Sequence, residues 1–240
     1  MKTVLITGAN KGIGFATAKA FLKKEYNVIL AGRNEERLVD AKGRLNSKKC
    51  EYIVWDVSQV NTAKDVIEKA HNLFGGIDVF VNNAGIVTEE DITLVPFLEK
   101  TEKAFDETMN INLKGLFFAL QEEIKYMIGK EIRGNIVNLC SEVAFRPAKD
   151  AYCVSKWGVR GLTMGVAMIA AEHGITVNGI APGETATEIL RQEEGVPFKN
   201  SSPRGERAMP HEMAEAILFL AESKNIIGEI LVSDGGRRLH

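Results

Sequence analysis

A glycine-rich turn near the start of the chain, Thr7-Gly8-Ala9-Asn10-Lys11-Gly12-Ile13-Gly14, restricts the fold more than any other feature. It follows an apolar run, Val4–Thr7, and opens an amphipathic stretch over 13–24. In a strand–turn–helix unit, glycines let the backbone turn tightly and approach a pyrophosphate, while the N–H groups of the helix start hold the anion. Three glycines alone mean little, because ordinary loops have them too; the position at the head of a βα series selects the phosphate-binding reading. Gly8, Asn10, Lys11, Gly12, Ile13 and Gly14 are therefore candidate nucleotide contacts.

The same alternation continues along the chain. Short apolar runs predict strands at Val4–Thr7, Asn27–Ala31, Glu51–Trp55, Ile77–Val81, Asn135–Leu139, Thr176–Ile180 and Glu229–Val232. Between them, helical periodicity covers 13–24, 35–46, 61–74, 101–129, 151–173 and 210–222. Several strands are apolar nearly throughout, as expected where helices cover both faces of a sheet. The expectation is an α/β fold: a single Rossmann-type doubly wound domain over 1–240 with a mostly parallel seven-stranded sheet. Gly75-Gly76, Gly134 and Gly174 fall at the expected boundaries between helices and strands. Residues 188–209 mix Gly, Pro, Ser and charge without period, which reads as a surface loop or a mobile cover beside the site.

Bulk properties narrow the partners. A net charge of −2 with scattered Lys and Arg gives no electrostatic reason to expect nucleic acid or an anionic membrane. No apolar run approaches the roughly 20 residues of a membrane span, and the first residues already read as a strand, not a secretory leader. Cys50, Cys140 and Cys153 lack metal-ligand spacing, so no metal is expected and reduced buried thiols are the plain reading. The chain is expected to be cytoplasmic.

The second strand ends Leu30-Ala31-Gly32-Arg33-Asn34. A preference for NAD usually needs an acidic residue here to bind ribose hydroxyls; Gly32 cannot do this, and Arg33 offers a fork of donors to a 2′-phosphate. Lys11 adds a second cation, so NADP(H) is the expected cofactor. Further on, Tyr152 and Lys156 are four residues apart on a predicted helix and share a face. A free phenol titrates near ~10, and an adjacent ammonium is expected to lower that value, making Tyr152 a proton donor or acceptor. Ser141, just past a strand end, is placed to hydrogen-bond a substrate oxygen.

Taken together, these motifs resemble those of the short-chain dehydrogenase/reductase family over nearly the whole chain. The resemblance rests on the 7–14 turn, Asn82-Asn83-Ala84-Gly85, Asn112 within Asn110-Ile111-Asn112-Leu113-Lys114-Gly115, Ser141, Tyr152-x-x-x-Lys156, Pro182-Gly183 with Thr187, and Ser233-Asp234-Gly235-Gly236. It implies that Asn112, Ser141, Tyr152 and Lys156 are catalytic, with Asn112 supporting a proton-relay water and Lys156 also holding the cofactor ribose. It further implies that Asp56 and Val57 edge the adenine, that Asn83, Ala84 and Gly85 run along the cofactor, and that Pro182, Gly183, Thr185 and Thr187 wrap its nicotinamide end. The asparagines are open to a purely structural role as well. Within that family the chain resembles the members that are like 3-oxoacyl-acyl-carrier-protein reductases. The Ser141-to-Tyr152 connection is about two residues shorter than in many relatives, and the stretch from Gly85 to Asn112, with Glu89-Glu90-Asp91, is longer.

The expected activity is interconversion of a small-molecule carbonyl and an alcohol. The alternative is a non-catalytic NADP(H)-sensing regulator on the same fold, against which the intact Ser141/Tyr152/Lys156 set argues. Glu142, Arg146 and Glu184 are expected either around the pocket, which would suit a sugar derivative or keto acid, or facing solvent at its rim. Arg191, Arg204 and Arg207 are candidates for meeting an acidic carrier. The helix over 151–173 is apolar on more than one face at Gly161, Leu162, Met164, Gly165, Val166, Met168 and Ile169, so a homodimer or homotetramer is expected.

Overall fold

Seven strands pair in one sheet: β1 (Thr3–Thr7), β2 (Asn27–Gly32), β3 (Cys50–Val54), β4 (Val79–Asn82), β5 (Asn135–Leu139), β6 (Thr176–Pro182) and β7 (Ile230–Ser233). The computed structural model describes residues 1–187 and 202–239. The spatial order is β3-β2-β1-β4-β5-β6-β7, and every neighbouring pair is parallel, so the sheet is parallel throughout instead of mostly so. From β1 the chain steps outward to β2 and β3, then returns to the other side of β1 as β4. The carboxyl ends of β1 and β4 therefore flank the crevice where ligands of such sheets bind.

Helices connect the strands: α1 (Gly12–Lys23), α2 (Glu35–Leu45), α3 (Ala63–Phe74), α4 (Glu89–Ile92), α5 (Glu102–Met109), α6 (Leu116–Gly129), α7 (Ala151–Ala171) and α8 (Pro210–Glu222). Side chains alternate across each strand, and this divides the core. Leu5, Phe80, Ile136 and Val177 pack beneath α3, α6 and α7. Val4, Ile6, Val79, Val81 and Val137 pack beneath α1, α2 and α8. Local chemistry sets the helix starts: Asn34 caps α2 at Arg37 N (2.9 Å), Asp150 caps α7 at Cys153 N (2.7 Å), and Pro210 opens α8.

The expected strands and most expected helices end within two residues of the observed bounds. The exception is the helix expected over 101–129, which a π-helical turn at Asn110–Gly115 divides into α5 and α6. The extra residue in that turn rotates the backbone and buries Asn112. Gly115 makes the turn possible, since a Cβ there would lie 2.7 Å from the Val57 carbonyl oxygen. The long stretch before it holds the short α4, which lacked a periodic signal. It is tied down by Lys100 to Asp91 (2.6 Å) and by Thr101 to Glu90 (2.6 Å). Of the expected loop at 188–209, residues 188–201, with Arg191, lie outside the described residues.

One feature of the α6 layer has no precedent in the sequence reading. Glu123 is fully buried, its Oε2 accepts from Asn82 Nδ2 (2.9 Å), and its Oε1 has no partner among the described residues. The chain of contacts continues from Asn82 to Asn138 (3.0 Å) and from Asn138 to Thr163 (3.0 Å), crossing β4 and β5 to α7. Burial pushes the Glu123 carboxyl up to about 8, with the Asn82 bond opposing. The folded protein therefore holds a proton there that the unfolded chain releases near 4.5, and this group's contribution weakens as pH rises from that value to about 8. Glu123→Gln should gain stability over the wild type across the same window, by up to about 1.4 kcal/mol per pH unit. Urea unfolding at pH 5 and pH 8 checks this, and an equal difference at both pH values would contradict it.

Candidate active site

The glycine turn and the end of β4 are built against each other. Asn83 Nδ2 donates to the carbonyls of Thr7 (2.9 Å) and Gly8 (3.0 Å), while Thr7 Oγ1 accepts from the backbone N–H of Asn83 and Ala84 (both 3.0 Å). Gly8 has φ +65°, and a Cβ on Gly14 would lie 2.5 Å from the Gly8 carbonyl oxygen and 2.6 Å from Asn83 Nδ2. Only glycine fits there. The Asn83 side chain is thus committed to the turn, which favours the structural role left open for it. Lys11 is the N-cap of α1; its side chain makes no capping bond, and no acidic residue lies in the first turn. That is the surface an anion needs.

The other expected cofactor residues border the same crevice. A Cβ on Gly12 would meet Thr187 Cγ2 at 3.3 Å, so the segment after β6 stands over the glycine turn. Thr185 is buried, bonds the Gly183 carbonyl (3.2 Å) and pairs with Ala208. Arg33 is exposed past the end of β2, and Asn10 Oδ1 reaches the same strand end, 3.6 Å from a Cβ built on Gly32. Ile13 packs into the α1 core. Asp56 accepts from Ser58 N (3.0 Å) and Ser58 Oγ (2.7 Å), which shapes the turn that brings Val57 against Gly115.

Deeper in the crevice the four expected catalytic residues come together from three elements. Ser141 follows β5 and caps a short turn, Glu142–Phe145. Tyr152 and Lys156 lie on the first two turns of α7, with Ser141 close enough to Tyr152 to favour its ionised form. Lys156 is buried and donates to the Leu139 carbonyl (2.8 Å), with its Nζ 5.7 Å from the Tyr152 ring centroid. Asn112 is clamped by the backbone of Ile86: its Oδ1 accepts from Ile86 N (2.8 Å) and its Nδ2 donates to Ile86 O (2.9 Å). A Cβ on Gly85 would lie 3.4 Å from Asn112 Oδ1 and 3.7 Å from Lys156 Nζ, so Gly85 abuts both side chains.

The electrostatics correct one expectation. The phenol of Tyr152 is pushed up to about 12, chiefly by burial, with the Ser141 hydrogen bond opposing. Lys156 does not lower it here. Its own burial brings the ammonium down to about 8, and the group is aimed at Leu139 O instead of the phenol oxygen. Near neutral pH Tyr152 is therefore a proton-loaded acid, and Lys156 still holds its charge. The thiols are held toward their protonated form by the same logic: burial raises Cys140, takes Cys50 to about 11, and with Asp150 takes Cys153 to about 12. Cys50 and Cys140 are buried as expected, whereas Cys153 is only half-buried.

Glu142, Arg146 and Glu184 also meet, in one ion-pair network completed by Arg207 and Arg237. Arg207 pairs with Glu184 (3.0 Å) and Arg204 with Glu212 (2.6 Å), so these two arginines have intramolecular carboxylate partners. Arg237 escaped the sequence reading, because no local motif marks a C-terminal arginine 95 residues from Glu142. Ser155, which accepts from Asn112 Nδ2 (3.3 Å), was missed for the same reason. Among the described residues no His/Cys/Asp/Glu group could hold a metal, and no helix is long and apolar enough to cross a membrane.

The glycine cradle, the helix start that follows it and the cation beyond β2 have the chemistry to take a phosphorylated dinucleotide. Known proteins agree with this architecture. A family model described as short chain dehydrogenase matches residues 2–195. The 3-oxoacyl-(acyl-carrier-protein) reductase FabG of Thermotoga maritima is 38% identical, over 98% of this chain and 97% of that protein. Gluconate 5-dehydrogenase of Gluconobacter oxydans is 34% identical, over 97% and 93%. The solved structure of ElxO with NADP bound superposes with a TM-score of 0.89 at 31% identity, covering 100% of this chain and 99% of that one. The chain belongs to the short-chain dehydrogenase/reductase family.

Proposed function

We propose that the protein is an NADP(H)-dependent oxidoreductase that interconverts a carbonyl and an alcohol, with Tyr152 as the proton donor or acceptor. The observation that supports this best is the convergence of Ser141, Tyr152 and the buried Lys156 beside Gly85. The dinucleotide, when bound, supplies or accepts the hydride. Ser141 holds the substrate oxygen next to the Tyr152 hydroxyl, which gives up its proton as charge develops on that oxygen. Lys156 keeps a buried positive charge beside the site, its ammonium held on the Leu139 carbonyl 5.7 Å from the Tyr152 ring centroid. Asn112, gripped at both ends by Ile86, holds the neighbouring backbone and leads through Ser155 toward α7.

NADP(H) is favoured over NAD(H) by Arg33 and Lys11, and relatives solved with NADP or NADPH bound support the same choice. Relatives named as reductases of 3-oxoacyl groups or as a gluconate dehydrogenase bracket the substrate range: carbonyls or alcohols bearing acidic or hydroxylated chains. A homo-oligomer formed through α6 and α7 is part of the same proposal. Met164, Met168 and Ile169 on α7 and Phe117 on α6 expose large apolar surface, and Gly161 and Gly165 leave the α7 backbone open to close approach.

Following NADPH loss against a 3-oxoacyl thioester, a keto sugar, a keto acid and a diketone tests the activity. Turnover of one class, reduced roughly 10²–10⁴-fold in Tyr152→Phe with NADPH affinity retained, is the expected result. Tight NADPH binding with no turnover of any carbonyl would overturn it in favour of a sensor. For the cofactor, Arg33→Ala should weaken NADPH binding by roughly 10- to 100-fold and leave NADH nearly unchanged; equal wild-type affinities would contradict the assignment. Sedimentation should give a dimer or tetramer, and a stable monomer at micromolar concentration would rule out the apolar interface.

A further inference from the structure

We infer that Arg237 is a positioning residue that joins the turn bearing Ser141 to the segment after β6, keeping the carbonyl side and the nicotinamide side of the site in register. This rests on the reductase reading above. Arg237 begins the short turn Arg237–Leu239 near the end of the chain. Its Nη1 contacts Glu142 Oε1 at 3.1 Å and Glu184 Oε1 at 2.6 Å. Glu142 directly follows Ser141, and Glu184 lies two residues past the end of β6, in the segment that stands over the glycine turn. A single guanidinium therefore bridges carboxylates on two separate elements that both border the reaction centre.

The bridge is sheltered enough to matter. The Glu142 side chain is 4% exposed, while Arg237 and Glu184 are 23% and 24% exposed, unlike the mobile surface pairs that contribute little. Burial raises the Glu142 carboxyl, and Arg237 followed by Arg146 opposes this, so its charge depends on these partners. Removing one partner of such a pair strands the other. Arg237 is itself seated firmly: Asp234 accepts from Gly236 N (2.9 Å) and Arg238 N (2.8 Å), and Ser233 O accepts from Gly183 N (2.9 Å). The serine turn has its own ties to α7, through Arg160 to Ala144 O (3.1 Å) and Trp157 to Arg146 O (2.8 Å). Those ties fix Ser141 relative to Tyr152; Arg237 adds the connection to the segment after β6.

A misplacement of about 1 Å between reacting groups costs on the order of 100-fold in rate. The expected signature is therefore a fall in kcat of roughly 10- to 100-fold in Arg237→Ala, with the KM for NADPH moving less than about threefold because the glycine turn is untouched. Arg237→Lys keeps the charge and should recover part of the lost kcat. Glu184→Gln removes only the charge on one side of the bridge and should fall in the same direction, which keeps the test decisive if Arg237→Ala folds poorly. Arg44→Ala, which removes an exposed pair with Asp40 on α2, is the control with unchanged turnover.

Steady-state kinetics of these variants on the carbonyl that the wild type reduces settle the matter. Loss of kcat with KM retained and recovery by lysine support the inference. A kcat within about twofold of wild type in both Arg237→Ala and Glu184→Gln overturns it and leaves the reductase reading standing. So does a loss that lysine does not recover and that the KM for NADPH shares, since that marks general damage. A wild type that oxidises no NADPH with any carbonyl overturns the reductase reading, and this inference with it.

Discussion

The clasp between the glycine turn and the end of β4 organises everything else in the molecule. Asn83 donates both amide hydrogens to the Thr7 and Gly8 carbonyls, and Thr7 returns an acceptor to the N–H groups of Asn83 and Ala84. Those bonds fix the two strand ends where the sheet order reverses, and so they define the crevice. The Gly14 contact shows how tightly the clasp is drawn, since a single methyl group would collide with it. From that edge the chain reaches Gly85, and Gly85 abuts Asn112 and Lys156. The glycine turn and the Ser141, Tyr152 and Lys156 set are thereby placed at the two ends of one groove.

Within the groove, burial does most of the electrostatic tuning. It raises the Tyr152 phenol to about 12 and lowers the Lys156 ammonium to about 8, so each group is pushed toward its neutral form. Near neutral pH the result is a protonated acid beside a cation whose charge is costly to bury but anchored on Leu139 O. The expectation that the lysine would simply acidify the tyrosine neglected this, because spacing on a helix shows that two residues share a face and not where an ammonium points. The same pressure acts on Glu123 and Glu142, and the outcomes differ with the partners. Glu142 has two guanidinium groups within reach, while Glu123 has one amide.

Much of this architecture was legible in the sequence, for identifiable reasons. Buried parallel strands read as continuous apolar runs, and glycine punctuates them, so the strand ends and the crevice could be located in advance. Ser141, Tyr152 and Lys156 were legible because they lie at a strand end and on one helical face, whereas Asn112 was reached only through the family resemblance. What escaped depended on contacts distant in sequence. The π turn that buries Asn112 follows from the approach of the Val57 carbonyl to Gly115, and periodicity does not encode that approach. The short α4 is held by ion pairs and hydrogen bonds from Lys100 and Thr101, not by an apolar stripe. Arg237 reaches its carboxylates only because the C-terminal turn folds back beside β6, and residues 188–201 lie outside what the structure describes.

The central claim is that a hydride passes between a nicotinamide and a carbonyl carbon while Tyr152 handles the proton. The most direct measurement is isotope transfer from NADPH deuterated at C4, prepared separately with the label on each face, to a carbonyl that the protein reduces. The account predicts that one of the two labelled forms delivers deuterium to the carbinol carbon of the product, and that the other leaves it in the oxidised cofactor. Product alcohol without deuterium from either form, or no alcohol despite tight NADPH binding, would contradict it.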